Sequence, residues 1–219
     1  MRELKVKVRT AKGRTVSSTK WLARQLNDPF VKAAKHKGYR SRSAFKLIEI
    51  DNKFNVFKRG QKVLDLGCSP GGWCQVASEK VKSTPSNLSV YGVDIKECEP
   101  ISGVHFYELD FLDESSYQNL KPNNSTKFDV ILSDMAPNST GHKQTDNLKI
   151  MALIEAAIFF VLENLQIGGI FVAKVLDAGA GSEMQNLLNK RFNKVTNFKP
   201  KSSRSSSSEK YLIAKGLKE

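Results

Sequence analysis

Apolar positions along this chain change their period near residue 60. Before that point Trp21, Leu22, Leu26, Phe30 and Val31 recur at near-helical spacing over 19–34, and Ala44, Leu47, Ile48 and Phe54 do the same over 43–54, which predicts two helices. From Lys62 onward short apolar runs alternate with longer amphipathic stretches. The runs at 63–66, 88–93, 104–109, 128–132 and 170–175 are predicted strands, and 72–81, 146–165 and 182–192 are predicted helices. Two more strand patterns, 194–198 and 210–214, flank a serine-rich stretch at 202–208. By composition alone that stretch is a flexible linker, but the strand-like Tyr211-Leu212-Ile213-Ala214 behind it makes it a surface loop within the domain. Strands separated by helices predict an α/β fold with a parallel sheet covered on both faces. The expected division is a basic arm over 1–18, N-terminal helices over 19–60, and a core over 61–219.

Charge sharpens this division. Residues 1–60 hold 17 Lys/Arg against 4 Asp/Glu, 61–189 hold 9 against 16, and 190–219 hold 9 against 2, within a formal net charge of +13. A uniform lysine excess serves solubility, whereas cationic ends around an acidic middle suit a polyanion, held by phosphate contacts and counterion release. The acidic middle suits a ligand bearing amines and hydroxyls. The longest apolar region, around Ala156 to Leu162, soon meets Glu155 and Glu163, so no membrane span is expected. The first residues are basic but lack an apolar signal segment, and the expected location is cytoplasmic. Cys68, Cys74 and Cys98 form no C-x-x-C pair, so reduced thiols are expected, with neither a disulfide framework nor a metal site.

The most specific local pattern is Val63-Leu64-Asp65-Leu66-Gly67-Cys68-Ser69-Pro70-Gly71-Gly72-Trp73, an apolar strand running through a glycine-rich turn into a helix. Glycines let a backbone approach a ligand where a side chain would collide. Pro70 and the paired glycines depart from G-x-G-x-x-G, which argues against a pyrophosphate ligand and a nicotinamide-dependent oxidoreductase. Asp94, Asp110 and Asp134 end or follow the next three strands. Each alone could merely cap a helix. Together with Asp65, beside one glycine loop, they collect where open α/β sheets bind ligands.

Three segments, Asp65 to Trp73, Ser133-Asp134-Met135-Ala136-Pro137-Asn138 and Tyr39-Arg40-Ser41-Arg42-Ser43-Ala44-Phe45-Lys46-Leu47, resemble the FtsJ/RlmE family of ribosomal RNA 2′-O-methyltransferases, and the resemblance runs from about Trp21 to Lys218. It implies a Rossmann-like class I methyltransferase fold, with a mostly parallel seven-stranded sheet, and S-adenosylmethionine as cofactor, contacted by Gly71, Trp73, Asp94, Asp110 and Asp134. It also implies a catalytic tetrad of Lys46, Asp134, Lys174 and Glu209, and a monomeric protein whose partner is ribosomal RNA, within the large subunit. A ribose hydroxyl is a poor nucleophile at neutral pH, so such an enzyme must align the oxygen with the methyl group and remove its proton. Lys174 is the expected base. It interrupts an apolar run where a buried parallel strand should continue, whereas Lys46 and Glu209 could equally be solvated surface charges. The same tetrad would serve methylation of transfer RNA or a messenger cap. The fold would also suit a catalytically silent RNA-binding assembly factor, although no tetrad residue is lost.

Overall fold

The computed structural model describes residues 6–10, 12–113, 116, 120, 127–136, 143–175, 181–205 and 207–219, with backbone alone at 143, 144 and 147. Pro137 and Asn138 of the motif starting at Ser133 lie outside the described residues. Seven strands, β1 (Val63–Leu66), β2 (Val90–Asp94), β3 (Val104–Glu108), β4 (Phe128–Ser133), β5 (Leu165–Val175), β6 (Phe192–Phe198) and β7 (Lys210–Leu217), form one sheet in the order β3-β2-β1-β4-β5-β7-β6. β1 to β5 pair in parallel, and β7 runs antiparallel to both β5 and β6, so the mostly parallel sheet expected from the sequence is present. The chain leaves β1 in one direction for β2 and β3 and in the other for β4 and β5. This reversal opens a crevice at the carboxyl ends of the strands.

Burial on both faces explains the apolar strand sequences. Every residue of β1 is buried. On one face Leu64, Leu66, Ile131, Phe171 and Ala173 pack with Ile158 and Val161 of α5 (Lys143–Asn164). On the other, Val63, Val130, Leu132 and Val172 pack with Leu47 and Ile50 of α3 (Ala44–Phe54) and Val76 and Ala77 of α4 (Gly72–Val81). Each fully buried aliphatic side chain contributes about 1.5–3 kcal/mol, so two such cores clamp the sheet rigidly between its helix layers. α6 (Ser182–Arg191) precedes β6.

Two expectations are corrected. The single helix predicted over 19–34 is two, α1 (Val16–Leu26) and α2 (Pro29–Lys37). Asp28 accepts a hydrogen bond from the Phe30 amide and Pro29 opens the new helix, a start signal that the apolar period hides. β5 begins at Leu165, five residues before the predicted 170, because the pairing with β4 shifts register between Phe128 and Val130. Gly168 turns the chain there at φ +80°, a conformation that favours glycine. No helix of the described residues is long and apolar enough to cross a membrane. Among those residues no group of three or more His, Cys, Asp or Glu could hold a metal ion.

Candidate active site

The crevice holds a cavity of about 380 Å³ lined by, among others, Gly67, Ser69, Asp94, Asp110, Asp134 and Met135. A Cβ on Gly67 would lie 2.7 Å from Met135 Cγ and 2.8 Å from Met135 Cα, and its φ is +75°, so only glycine fits where the loop passes beneath the β4 exit. Asp94, at the end of β2, accepts from the amides of Ser69 (2.9 Å) and Lys96 (3.0 Å) and thereby ties the glycine loop to the neighbouring strand. Asp110 accepts from the Leu112 amide at 2.9 Å. Asp65 is fully buried and does not line the cavity. Its Oδ2 accepts from Cys74 Sγ at 3.2 Å while Oδ1 has no hydrogen-bond partner. Burial raises its carboxyl to about 8, opposed by the Cys74 hydrogen bond and reinforced by the charges of Asp134 and Asp94.

Gly71 and Trp73 stand on the turn that opens α4, and neither lines this cavity. The Trp73 indole is buried, donates to the Ser43 carbonyl at 2.9 Å and packs against the Tyr211 ring, so its side chain braces α3 and β7. The three cysteines are free, Cys68 and Cys74 buried and Cys98 partly so.

Lys46, Asp134, Lys174 and Glu209, up to 163 positions apart in the chain, meet on one side of the sheet. Strand alternation accounts for this. Phe171, Ala173 and Val175 face α5, so Lys174 faces the α3 side along with Ile170 and Val172. Its register partner is Tyr211 of β7, which points the same way, and Glu209 precedes Tyr211 by two. Lys46 reaches the same point from α3.

Two ion pairs result. Lys174 Nζ lies 3.0 Å from Asp134 Oδ1 and donates to the Asp134 carbonyl at 2.6 Å; Lys46 Nζ lies 2.6 Å from Glu209 Oε1. Tyr211 joins them, donating to Asp134 Oδ1 at 2.9 Å and accepting from Lys46 at 3.1 Å. Burial pushes the Asp134 carboxyl up, but the charges of Lys174 and Lys46 and the hydrogen bonds from Lys174 and Tyr211 outweigh it and leave the group below its ordinary value. Burial first, then the charges and hydrogen bonds of Asp134 and Glu209, hold the Tyr211 phenol well above 10, so it remains a donor at neutral pH.

Tyr211 was not among the predicted site residues. Its signal was its place two residues after Glu209, at the start of the strand that begins at Lys210. A second cavity, of about 360 Å³, opens on the far side of the Lys46–Glu209 pair and is lined by Arg24, Arg42, Lys46, Arg204, Ser207 and Glu209. Its walls are held in place. Buried Asp28 pairs with Arg42 (2.9 Å) and Arg204 (3.4 Å), and Glu49 of α3 accepts from the amides of Lys201 (2.6 Å) and Ser202 (2.8 Å). Glu209 also accepts from Ser203 Oγ at 3.1 Å. The serine-rich segment is therefore a fastened loop that carries one wall of the site.

A sheet with a reversed seventh strand, a glycine loop after β1 and carboxylates at the following strand ends define a Rossmann-like methyltransferase fold. The FtsJ-like methyltransferase family model matches residues 39–217. The chain is 51% identical over 222 residues to the ribosomal RNA large subunit methyltransferase E of Roseobacter denitrificans, covering 99% of this chain and 92% of that protein. It is 52% identical to the protein of the same name from Cereibacter sphaeroides, covering 99% and 91%. The crystal structure of a Plasmodium falciparum protein described as a ribosomal RNA methyltransferase superposes with a TM-score of 0.68 at 34% identity, covering 82% of this chain and 98% of the other. The fibrillarin/Nop5p complex shares the fold, with a TM-score of 0.55 at 16% identity and coverage of 80% and 83%. The chain belongs to the FtsJ-like methyltransferase family and is a methyltransferase.

Proposed function

We propose that this protein transfers the methyl group of S-adenosylmethionine to a ribose 2′-hydroxyl of large-subunit ribosomal RNA, in the cytoplasm and as a monomer. The observation that carries the reading is the position of the two ion pairs: Asp134 lines the acidic cavity, Lys46 and Glu209 line the cationic one, and Lys174 and Tyr211 sit at their junction through Asp134. A methyl donor and a polyanionic acceptor need such an arrangement, with one pocket each and the reactive groups at the boundary. The substrate class rests on the shared name of relatives that span nearly the whole chain.

The acidic cavity fits the cofactor in size and in donor chemistry. Drug-sized ligands occupy roughly 300–1,000 Å³, and carboxylates at the ends of β2 and β3 suit the hydroxyls and amines of a nucleoside bearing an amino acid. Asp94, Asp110 and Asp134, which line the cavity, would hold it, and Gly71 and Trp73 would act from behind by shaping the turn that opens α4. Bound there, S-adenosylmethionine supplies an activated methyl group on a sulfonium.

Lys174 is the base. Once Lys174 has released the proton that makes it the cation of the Asp134 pair, its amine has two N–H bonds and one lone pair; the Asp134 carbonyl and carboxylate accept the two N–H bonds and leave the lone pair for the acceptor hydroxyl. The hydroxyl proton would pass to this lone pair as the ribose oxygen took the methyl carbon, and the sulfonium's S–C bond would break to leave a neutral thioether. Asp134 orients Lys174, and Glu209 and Tyr211 orient Lys46 beside the oxygen that gains charge and loses its proton. Lys174→Ala is expected to lower methyl transfer from radiolabelled S-adenosylmethionine by about 10²–10⁴-fold, with cofactor Kd unchanged. The substrate for this assay is large-subunit RNA from cells lacking the protein. Full activity in the variant would reject the assignment, and methylation of transfer RNA or capped messenger instead would reject the substrate.

A further inference from the structure

α1 is a well-started helix with no fully buried residue. Thr15 Oγ1 caps it by accepting from the Ser18 amide at 3.2 Å, yet none of its residues is buried, and Trp21 is 51% exposed. Val16 and Leu26 on the same helix are exposed as well. An indole is large and apolar and is normally covered in a folded chain, so a half-bare one on an ordered helix has its surface committed to something other than the fold.

Its surroundings narrow what that is. α1 and α2 together carry Lys20, Arg24, Lys32, Lys35 and Lys37 and no acidic residue. The carboxylate between them, Asp28, is buried and paired with Arg42 and Arg204. An aromatic ring on helices that carry cations and no acidic residue of their own matches a partner that is anionic and has flat apolar faces. Unpaired nucleotides meet both demands, because every base offers a π-face while its phosphate meets the cations. The location agrees. Arg24 lies three residues after Trp21, hence beside it on the helix surface, and lines the cationic cavity together with Lys46 and Glu209.

We infer that Trp21 is a stacking platform for an unpaired base of the RNA strand whose acceptor ribose enters the Lys46–Glu209 cavity. Stacking would fix the strand from outside the reacting centre, so Trp21 is a positioning residue. The inference rests on the proposed RNA substrate.

The test titrates the full-length protein with deproteinised large-subunit RNA from cells lacking it, alongside methyl-transfer kinetics. Trp73 is the chain's one other tryptophan and is buried, so RNA should quench fluorescence in the wild type and leave Trp21→Phe nearly unquenched. Trp21→Ala should raise KM for RNA by roughly five- to a hundredfold with kcat and cofactor Kd unchanged, and Trp21→Phe should recover most of the loss. Circular dichroism checks that α1 is kept. Wild-type KM in a helical Trp21→Ala variant overturns the platform while leaving the methyl-transfer reading intact; a wild-type protein that methylates no RNA removes that reading itself. A defect seen with assembled subunits but not with free RNA would assign the indole to a protein contact. A fluorescence shift with phosphatidylglycerol vesicles but not with RNA would assign it to a membrane surface. Either result overturns the inference.

Discussion

The two cavities that meet at Asp134 differ in how they are built. The acidic one is assembled from consecutive strand ends: the loop after β1, then the ends of β2, β3 and β4, each delivering one group by the same geometry. The cationic one draws Arg24 from α1, Arg42 and Lys46 from the start of α3, and Arg204, Ser207 and Glu209 from the serine-rich loop. A sheet supplies the first almost automatically. The second exists only because specific ties, Asp28 to two arginines and Glu49 to two loop amides, hold separate segments together. Catalytic competence should therefore be more fragile on the acceptor side than on the cofactor side.

Lys46→Ala should show this most strongly. It leaves Glu209 without its cation in a largely buried setting, at a cost of about 3–5 kcal/mol, which should appear as a lower Tm and as loss of methyl transfer by about two orders of magnitude. Cofactor Kd from calorimetry should stay within about twofold, and a large Kd change would show that the cavities are not separable.

Asp65→Asn probes the other side through pH. The folded carboxyl of Asp65, at about 8, lies above its ordinary value of 3.8, so the folded state holds a proton that the unfolded state has released. Its contribution is complete below pH 4 and is lost as pH rises toward 8, with a slope of at most about 1.4 kcal/mol per unit. Thermal melts from pH 5 to 10 should thus show wild-type Tm falling relative to Asp65→Asn and the gap levelling off above 8; parallel curves would mean that Asp65 is charged throughout.

Tyr211→Phe is the mildest change. It removes one hydroxyl that bridges the two pairs, worth about 1 kcal/mol, and should slow transfer by roughly fivefold at saturating cofactor without altering cofactor Kd. A loss as large as that of Lys46→Ala would make the phenol a participant in proton transfer.

The contrast between the cavities also marks what the sequence disclosed. Strand runs such as 63–66 and the loop carboxylates were legible because one short segment contains both element and ligand group. Lys174 stood out because a cation in an apolar run has few structural excuses. Lys46 and Glu209 were recognisable by resemblance, while the pairing that gives each a partner depends on contacts 163 residues apart, which local pattern does not encode. Tyr211 passed as core because it is core, with only its hydroxyl reaching the site. The helix break at Asp28-Pro29 escaped because the apolar period continues across it. The serines of 202–208 advertised looseness by composition, whereas Glu49 and Arg42 hold the backbone of Ser202 and Lys199 holds the carbonyl of Ser207.

A helix with no fully buried side chain adds little to the free energy holding the sheet together. Lys46, Asp134, Lys174 and Glu209 are tied to one another by contacts that do not involve α1. Changes on this helix should therefore alter the hold on the acceptor strand while sparing the readiness of the catalyst.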